Sequence, residues 1–83
     1  MYSIIVLPRA AKDLDRIPDN IMLRFEKILL ILQDNPRAIG VIKLTGEEGY
    51  RIRIGDYRVL FEIDDEAKLV NVYRIRHRRE VYR

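Results

Sequence analysis

Apolar positions in this chain keep two different periods, and the change from one to the other falls near its middle. The opening run Tyr2 to Leu7 is rich in β-branched residues and stops at Pro8, a residue suited to the first turn of a helix, so it predicts a strand leading into one. Ala11, Leu14 and Ile17 then recur at helical spacing among Arg9, Lys12, Asp13, Asp15 and Arg16, until Pro18-Asp19-Asn20 interrupts the pattern. A short amphipathic helix over residues 8–17 follows. A longer one is predicted from Ile21, because Ile21, Phe25, Ile28, Leu29 and Leu32 stand at i, i+4, i+7, i+8 and i+11 before Asn35-Pro36 ends the run. Met22, Leu30 and Ile31 widen its apolar stripe past one face, which fits either a deeply packed helix or a second face that a partner covers.

Past residue 37 the period drops to two. Val41 to Leu44 allows a short strand and Gly46-Glu47-Glu48-Gly49 a turn. Tyr50-Arg51-Ile52-Arg53-Ile54 and Tyr57-Arg58-Val59-Leu60-Phe61 then alternate on either side of Gly55-Asp56. Two such runs joined by two residues predict a hairpin, with Gly55 at the first central position of a type II′ turn. Closed that way, Ile54 lies opposite Tyr57, Ile52 opposite Val59, and Arg53 opposite Arg58 on one face. Asp64-Asp65-Glu66-Ala67 reads as another turn and Leu69 to Ile75 as a third strand. Its buried face is ambiguous, since Val70 and Val72 argue for one parity and Tyr73 and Ile75 for the other. The order strand, helix, helix, strands predicts a single α+β domain over residues 1–83, an N-terminal strand and a two-helix hairpin packed on an antiparallel sheet.

Charge changes this picture at one place. Eight of the twelve arginines follow residue 50. Residues 1–48 balance seven Lys/Arg with seven Asp/Glu, while residues 49–83 hold nine and six, so the excess of positive charge sits with the alternating strands. Arg53 opposed to Arg58 costs roughly 0.2 to 1 kcal/mol as a like-charge cross-strand pair. An anionic ligand that receives both offsets that cost, and guanidinium forks match phosphate best. A nucleic acid or another polyanion fits, and a solvated charged sheet face is the plain alternative.

Other chemistry is excluded or unsupported. With no cysteine there is no disulfide, thiolate metal site or Cys nucleophile. Ser3, Thr45 and His77 are the only serine, threonine and histidine, too few to build a triad with confidence in its geometry. Adjacent carboxylates at Asp64-Asp65-Glu66 read as a solvated turn rather than a metal site, and the glycines form no phosphate loop before a helix, so neither metal nor cofactor is expected. No apolar run approaches the ~20 residues that span a bilayer, and no basic leader precedes Tyr2. A soluble cytoplasmic protein without membrane contact is expected, small enough at 83 residues to lean on a partner for stability.

What remains is Arg51, Arg53, Arg58, Arg76 and Arg78 with His77 and several tyrosines, a set suited to a reaction whose nucleophile arrives with the substrate. RNA supplies one. Its ribose 2′-OH attacks the adjacent phosphodiester, leaving the protein to align it, neutralise the phosphorane and move two protons. Arginine is a poor base, so Tyr82 and His77 are the proton-transfer candidates, and each also has a plain structural reading.

Lys43-Leu44-Thr45-Gly46, the block Gly49 to Phe61, and the ending His77-Arg78-Arg79-Glu80-Val81-Tyr82-Arg83 resemble the RelE branch of the RelE/ParE toxin superfamily, with a likeness that spans the chain. The resemblance implies the RelE-like fold and a toxin of a type II toxin–antitoxin system. It implies a metal-independent endoribonuclease, an mRNA interferase, that enters the ribosomal A site and cleaves mRNA to a 2′,3′-cyclic phosphate, inhibiting translation. A cognate antitoxin that wraps the toxin is the implied partner. Carried over, Arg51 and Arg53 contact phosphate, Arg58 holds the scissile phosphate, Arg78 is the basic residue of the last segment, and Tyr82 activates the 2′-OH. Lys43, Arg74, Arg76, His77 and Arg79 complete the expected RNA-contacting set. Well-studied members carry lysines at the positions of Arg51 and Arg53, and a lysine sheds a proton where an arginine does not. The C-terminal helix that some members carry is not expected after Arg83. A ParE-like inhibitor of DNA gyrase, and a non-catalytic module that binds nucleic acid or antitoxin, are the competing expectations.

Overall fold

In a computed structural model that describes the backbone of residues 1–81 and the side chains of residues 1–79, the chain runs β1 (Ser3–Val6), α1 (Pro8–Leu14), α2 (Asp19–Asp34), β2 (Ile42–Lys43), β3 (Tyr50–Ile54), β4 (Tyr57–Asp64), β5 (Leu69–His77) and α3 (Arg78–Val81). The five strands form one sheet in the order β1-β5-β4-β3-β2. This is the expected α+β arrangement with one refinement: β1 lies parallel to β5, Ser3 beside Leu69 and Val6 beside Val72, so the sheet is mixed. A parallel pair needs a long connection, and the helices and three strands between β1 and β5 supply it.

Pro8 opens α1 at a position where its missing N–H costs no hydrogen bond. The helix ends at Leu14, short of the predicted Ile17, because the N–H groups of Asp15, Arg16 and Ile17 tighten onto the carbonyls three residues back before Pro18. Ala10, fully buried, takes the inward place expected of Ala11, with Leu14 and Ile17 packed behind it. From α2, Ile21, Phe25 and Leu32 meet Ile52, Ile54, Val59, Phe61, Val70, Val72 and Ile75 of the sheet. Met22 is half-buried against this core, whereas Leu30 and Ile31 stand exposed with Leu23, so the wide stripe does form a second apolar face. A helix end at α3 adds a single turn after β5.

The central hairpin has the predicted register, Ile54 with Tyr57, Ile52 with Val59 and Arg53 with Arg58. Gly55 has φ +61 while Asp56 keeps a negative φ, which fits type II′ and not type I′. In β5 the ladder shifts: Leu60 pairs with Arg74 but Phe61 with Val72, so Tyr73 is the extra residue of a β-bulge. That bulge resolves the parity conflict. Val70 and Val72 before it and Ile75 after it all reach the core. Gly49 lies beside β4, just before β3, with φ +108, and a Cβ there would lie 2.9 Å from the Phe61 carbonyl oxygen and 3.3 Å from the Tyr73 hydroxyl.

At the far end of the sheet one carboxylate ties three segments together. Asp65, in the β4–β5 turn, accepts two hydrogen bonds from Arg37 at 3.0 and 2.9 Å and one from the Tyr2 hydroxyl at 2.6 Å. The Arg37 guanidinium also sits 5.5 Å from the centre of the Tyr50 ring. Arg37 first, and then Tyr2, holds the Asp65 carboxyl at about 2 instead of 3.8.

Two predictions follow from these contacts. Gly49→Ala should destabilise the domain by about 1–3 kcal/mol, measured by urea unfolding, because the backbone conformation and the Phe61 carbonyl both oppose a side chain there. The Asp65 carboxyl is depressed on folding, so its contribution is complete above 3.8 and is lost as pH falls from there through about 2. Asp65→Asn should therefore be less stable than wild type near neutral pH, with the difference closing as denaturation is repeated down to pH 2.

Candidate phosphate-binding site on the open sheet face

Alternation places the site on the opposite side of the same ladder that builds the core. Ile52, Val59 and Ile75 form one cross-strand row toward α2, and the adjoining row on the other face is Arg53, Arg58 and Arg76. One step along the strands the row is Arg51, Leu60 and Arg74. Five predicted arginines are thereby brought onto one face of three neighbouring strands.

They are not equivalent. Arg53 is exposed and Arg51 half-buried, whereas Arg58, in the middle of its row, keeps only 6% of its surface accessible. Arg58 is the one buried charged side chain among the described residues. The Nε of Arg76 is likewise buried and has no hydrogen-bond partner among the described residues. A guanidinium N–H held out of water without an acceptor costs free energy that an incoming phosphate oxygen recovers.

Arg74 is committed differently. Its Nε and Nη2 donate to Asp13 of α1 at 2.9 and 3.4 Å, and the same carboxylate accepts the Ile75 backbone N–H at 2.9 Å. Both side chains are largely buried, 19% exposed for Arg74 and 17% for Asp13. Burial pushes the Asp13 carboxyl up, but the bonds from Arg74 and Ile75 and the charges of Arg74 and Arg9 outweigh it, leaving the group below 3.8. Sequence reasoning placed Asp13 among the solvated positions of its helix. No local signal reveals its role, because its partners lie 61 and 62 residues away.

The remaining candidates lie elsewhere. Arg78 starts α3 beside the hairpin tip, its N–H donating to the Asp56 carbonyl at 2.7 Å and its side chain 3.9 Å from the Asp56 carboxylate, both side chains being well exposed. Arg79 is exposed next to it. His77 pairs across the ladder with Tyr57, so its ring shares the face of Tyr57 and meets it edge-on at 5.0 Å, and its Nδ1 accepts the Arg79 N–H at 3.2 Å. Lys43 pairs with Tyr50 and shares that same face. The structure therefore does not bring His77 or Lys43 to the arginine rows. Tyr82 lies outside the described residues. No helix among the described residues is long and apolar enough to cross a membrane.

Residues 4–82 match the family model described as the ParE toxin of the type II toxin–antitoxin system parDE. Toxin RelE of Mycobacterium tuberculosis is 34% identical over 84 residues, covering 99% of this chain and 87% of that protein. The toxin–antitoxin complex RelBE2 of the same organism contains a chain with a TM-score of 0.81 at 29% identity, covering 92% of this chain and 96% of that one. An archaeal RelE–RelB complex from Pyrococcus horikoshii gives 0.80 at 25% identity, with 93% and 94% covered. A match of this extent in sequence, on a fold that superposes over nearly its whole length, means that the chain belongs to the RelE/ParE family of type II toxin–antitoxin toxins.

Proposed function

We propose that this toxin is a metal-independent endoribonuclease that cleaves mRNA in the ribosomal A site and is silenced by an antitoxin laid over its basic face. The observation that carries this reading is the row Arg53, Arg58 and Arg76, with its central guanidinium almost fully buried and the Nε of Arg76 desolvated. Such a row sets three guanidinium groups side by side, and a phosphate bridging them lowers their mutual repulsion. Its chemistry suits the charge that accumulates on phosphorus during attack by a neighbouring hydroxyl.

In the proposed reaction the ribose 2′-oxygen bonds to the adjacent phosphorus and the bond from phosphorus to the 5′-oxygen breaks. The products are a 2′,3′-cyclic phosphate and a 5′-OH. Arg58 holds the scissile phosphate, Arg53 and Arg76 take up the added negative charge, and Arg51 and Arg78 orient the flanking backbone. The 2′-OH proton goes to Tyr82, the residue in which the family resemblance places that role, and the departing 5′-oxygen takes a proton from water. His77 is the weaker candidate, because its ring is turned to Tyr57 on the other face of the sheet. The mRNA substrate places the reaction in the cytoplasm.

The RelE relatives in complex with RelB support an antitoxin as partner. The exposed Leu23, Leu30 and Ile31 of α2, with Ile39 and Ile42, offer apolar surface for it. The family description names ParE, whereas the relatives at whole-chain coverage are RelE toxins. Inhibition of DNA gyrase is therefore the reading to exclude.

In a purified translation system with a defined mRNA, wild type should give ribosome-dependent cuts in the A-site codon with 5′-OH ends, mapped by primer extension. Gyrase supercoiling should be unaffected. Inhibited gyrase with intact mRNA would establish the ParE-like activity instead, and inactivity in both assays with tight nucleic-acid or antitoxin binding would establish the binding module. Arg58→Ala should lower the cleavage rate by roughly 10²–10³ with the far-ultraviolet circular dichroism unchanged. Tyr82→Phe should remove most cleavage while preserving ribosome binding, and His77→Ala should be the milder change. Arg53→Gln should lose activity yet gain about 0.2 to 1 kcal/mol in stability, a gain that shrinks as salt is raised.

A further inference from the structure

We propose that Arg24 and Lys27 of α2 form, with Arg53, a second phosphate subsite that receives the mRNA backbone next to the cleaved linkage. The inference rests on the RNA-cleaving reading above and deepens it, because it decides over which edge of the sheet the strand runs.

The subsite begins where the sheet is left open. β2 pairs with β3 only at Tyr50 and Arg51, so Arg53 and Ile54 stand on an uncovered edge. α2 passes beside that edge. Its Ile21 and Phe25 are buried and Ile28 half-buried, while Arg24 and Lys27, at i and i+3 on one side of the helix, are exposed. Arg24, Lys27 and Ile28 line one hollow with Arg53 and Ile54. The Arg24 guanidinium reaches the hairpin tip, since a Cβ on Gly55 would lie 3.3 Å from its Nη1. Glu26, between the two cations in sequence, faces elsewhere and lines a hollow with Ile4 and Val6 of β1.

The charge of this subsite has one sign. Arg24, Lys27 and Arg53 are the charged side chains lining it, and none of them has an ion pair or a side-chain hydrogen bond among the described residues. Asp56, the carboxylate of the turn, does not line it and lies 3.9 Å from Arg78. At the other end of the row, the open-face hollow that includes Arg74 and Arg76 also holds Glu47, Glu48 and Glu62, three carboxylates against two guanidinium groups. A strand seated on Arg53, Arg58 and Arg76 meets like charge if it continues past Arg76, and a set of cations if it turns over the β3 edge. Screening is incomplete at the spacing of neighbouring phosphates, so this asymmetry directs the backbone toward α2.

The contact belongs to substrate binding and should appear in KM. In the programmed-ribosome cleavage assay, Arg24→Gln and Lys27→Gln should each raise KM roughly threefold, and the double variant roughly tenfold, with kcat nearly unchanged. The plot of log kcat/KM against log salt should become shallower by about one in the double variant. Arg24→Lys combined with Lys27→Arg keeps both charges and should behave as wild type. To identify the phosphate, single linkages flanking the cut are replaced by uncharged methylphosphonates. One such replacement should raise KM for wild type and add nothing in the double glutamine variant, because both remove the same contact. Wild-type KM in the double glutamine variant, even with weakened antitoxin binding, would overturn the inference alone. So would a KM rise that adds to every methylphosphonate, which would assign the two cations to ribosomal RNA. Absence of cleavage by the wild-type protein would overturn it together with the RNA-cleaving reading.

Discussion

Everything in this domain depends on the register of one hairpin. Successive residues of a strand point to opposite faces, so the alignment that seats Ile52, Val59 and Ile75 in the core is also the alignment that gathers Arg53, Arg58 and Arg76 on the other side. Core and site are two readings of a single ladder. A slip by one residue would expose the first row and bury three guanidinium groups against α2, an exchange so costly that the hydrophobic core itself enforces the arrangement of the site. The Gly55-Asp56 turn sets this alignment locally, before any distant contact is needed.

The third strand joins that ladder only through its bulge. Were Tyr73 paired as a regular strand residue, Val72 and Ile75 would fall on opposite faces, and either the core or the arginine rows would be incomplete. Two residues from elsewhere in the chain crowd this irregularity. Gly49 lies so close to the Phe61 carbonyl of β4 that a Cβ would clash with it, and Asp13 occupies the outer edge just beyond the bulge. The irregular point of the sheet is thus braced from two other parts of the chain, which is consistent with the role of bulges in re-aiming side chains near functional sites.

Much of this was legible in the residue order, and the remainder was not for identifiable reasons. The hairpin announced itself because alternation and a two-residue turn are local signals, and α2 because its spacing persists over four turns. The conflict between Val70-Val72 and Tyr73-Ile75 looked like ambiguity and was in fact the trace of the bulge, which a strictly period-two template has no means to express. The parallel seat of β1 beside β5 and the engagement of Arg74 by Asp13 both join residues more than sixty positions apart, where no pattern within a strand or helix bears on the outcome. Counting basic residues in the arginine-rich segment likewise merged two faces. Lys43 and His77 belong by charge or chemistry to the site, but by parity to the side of Tyr50 and Tyr57.

The pairing of Ser3 with Leu69 also sets the order in which the molecule comes into being. During synthesis β1 must wait for β5, the strand that carries Val70, Val72 and Ile75 as well as Arg74 and Arg76. Helices and the central hairpin can form earlier, but they lack Arg76 of one row and Arg74 of the other. The candidate arginine site therefore stays unassembled until the last strand closes the sheet.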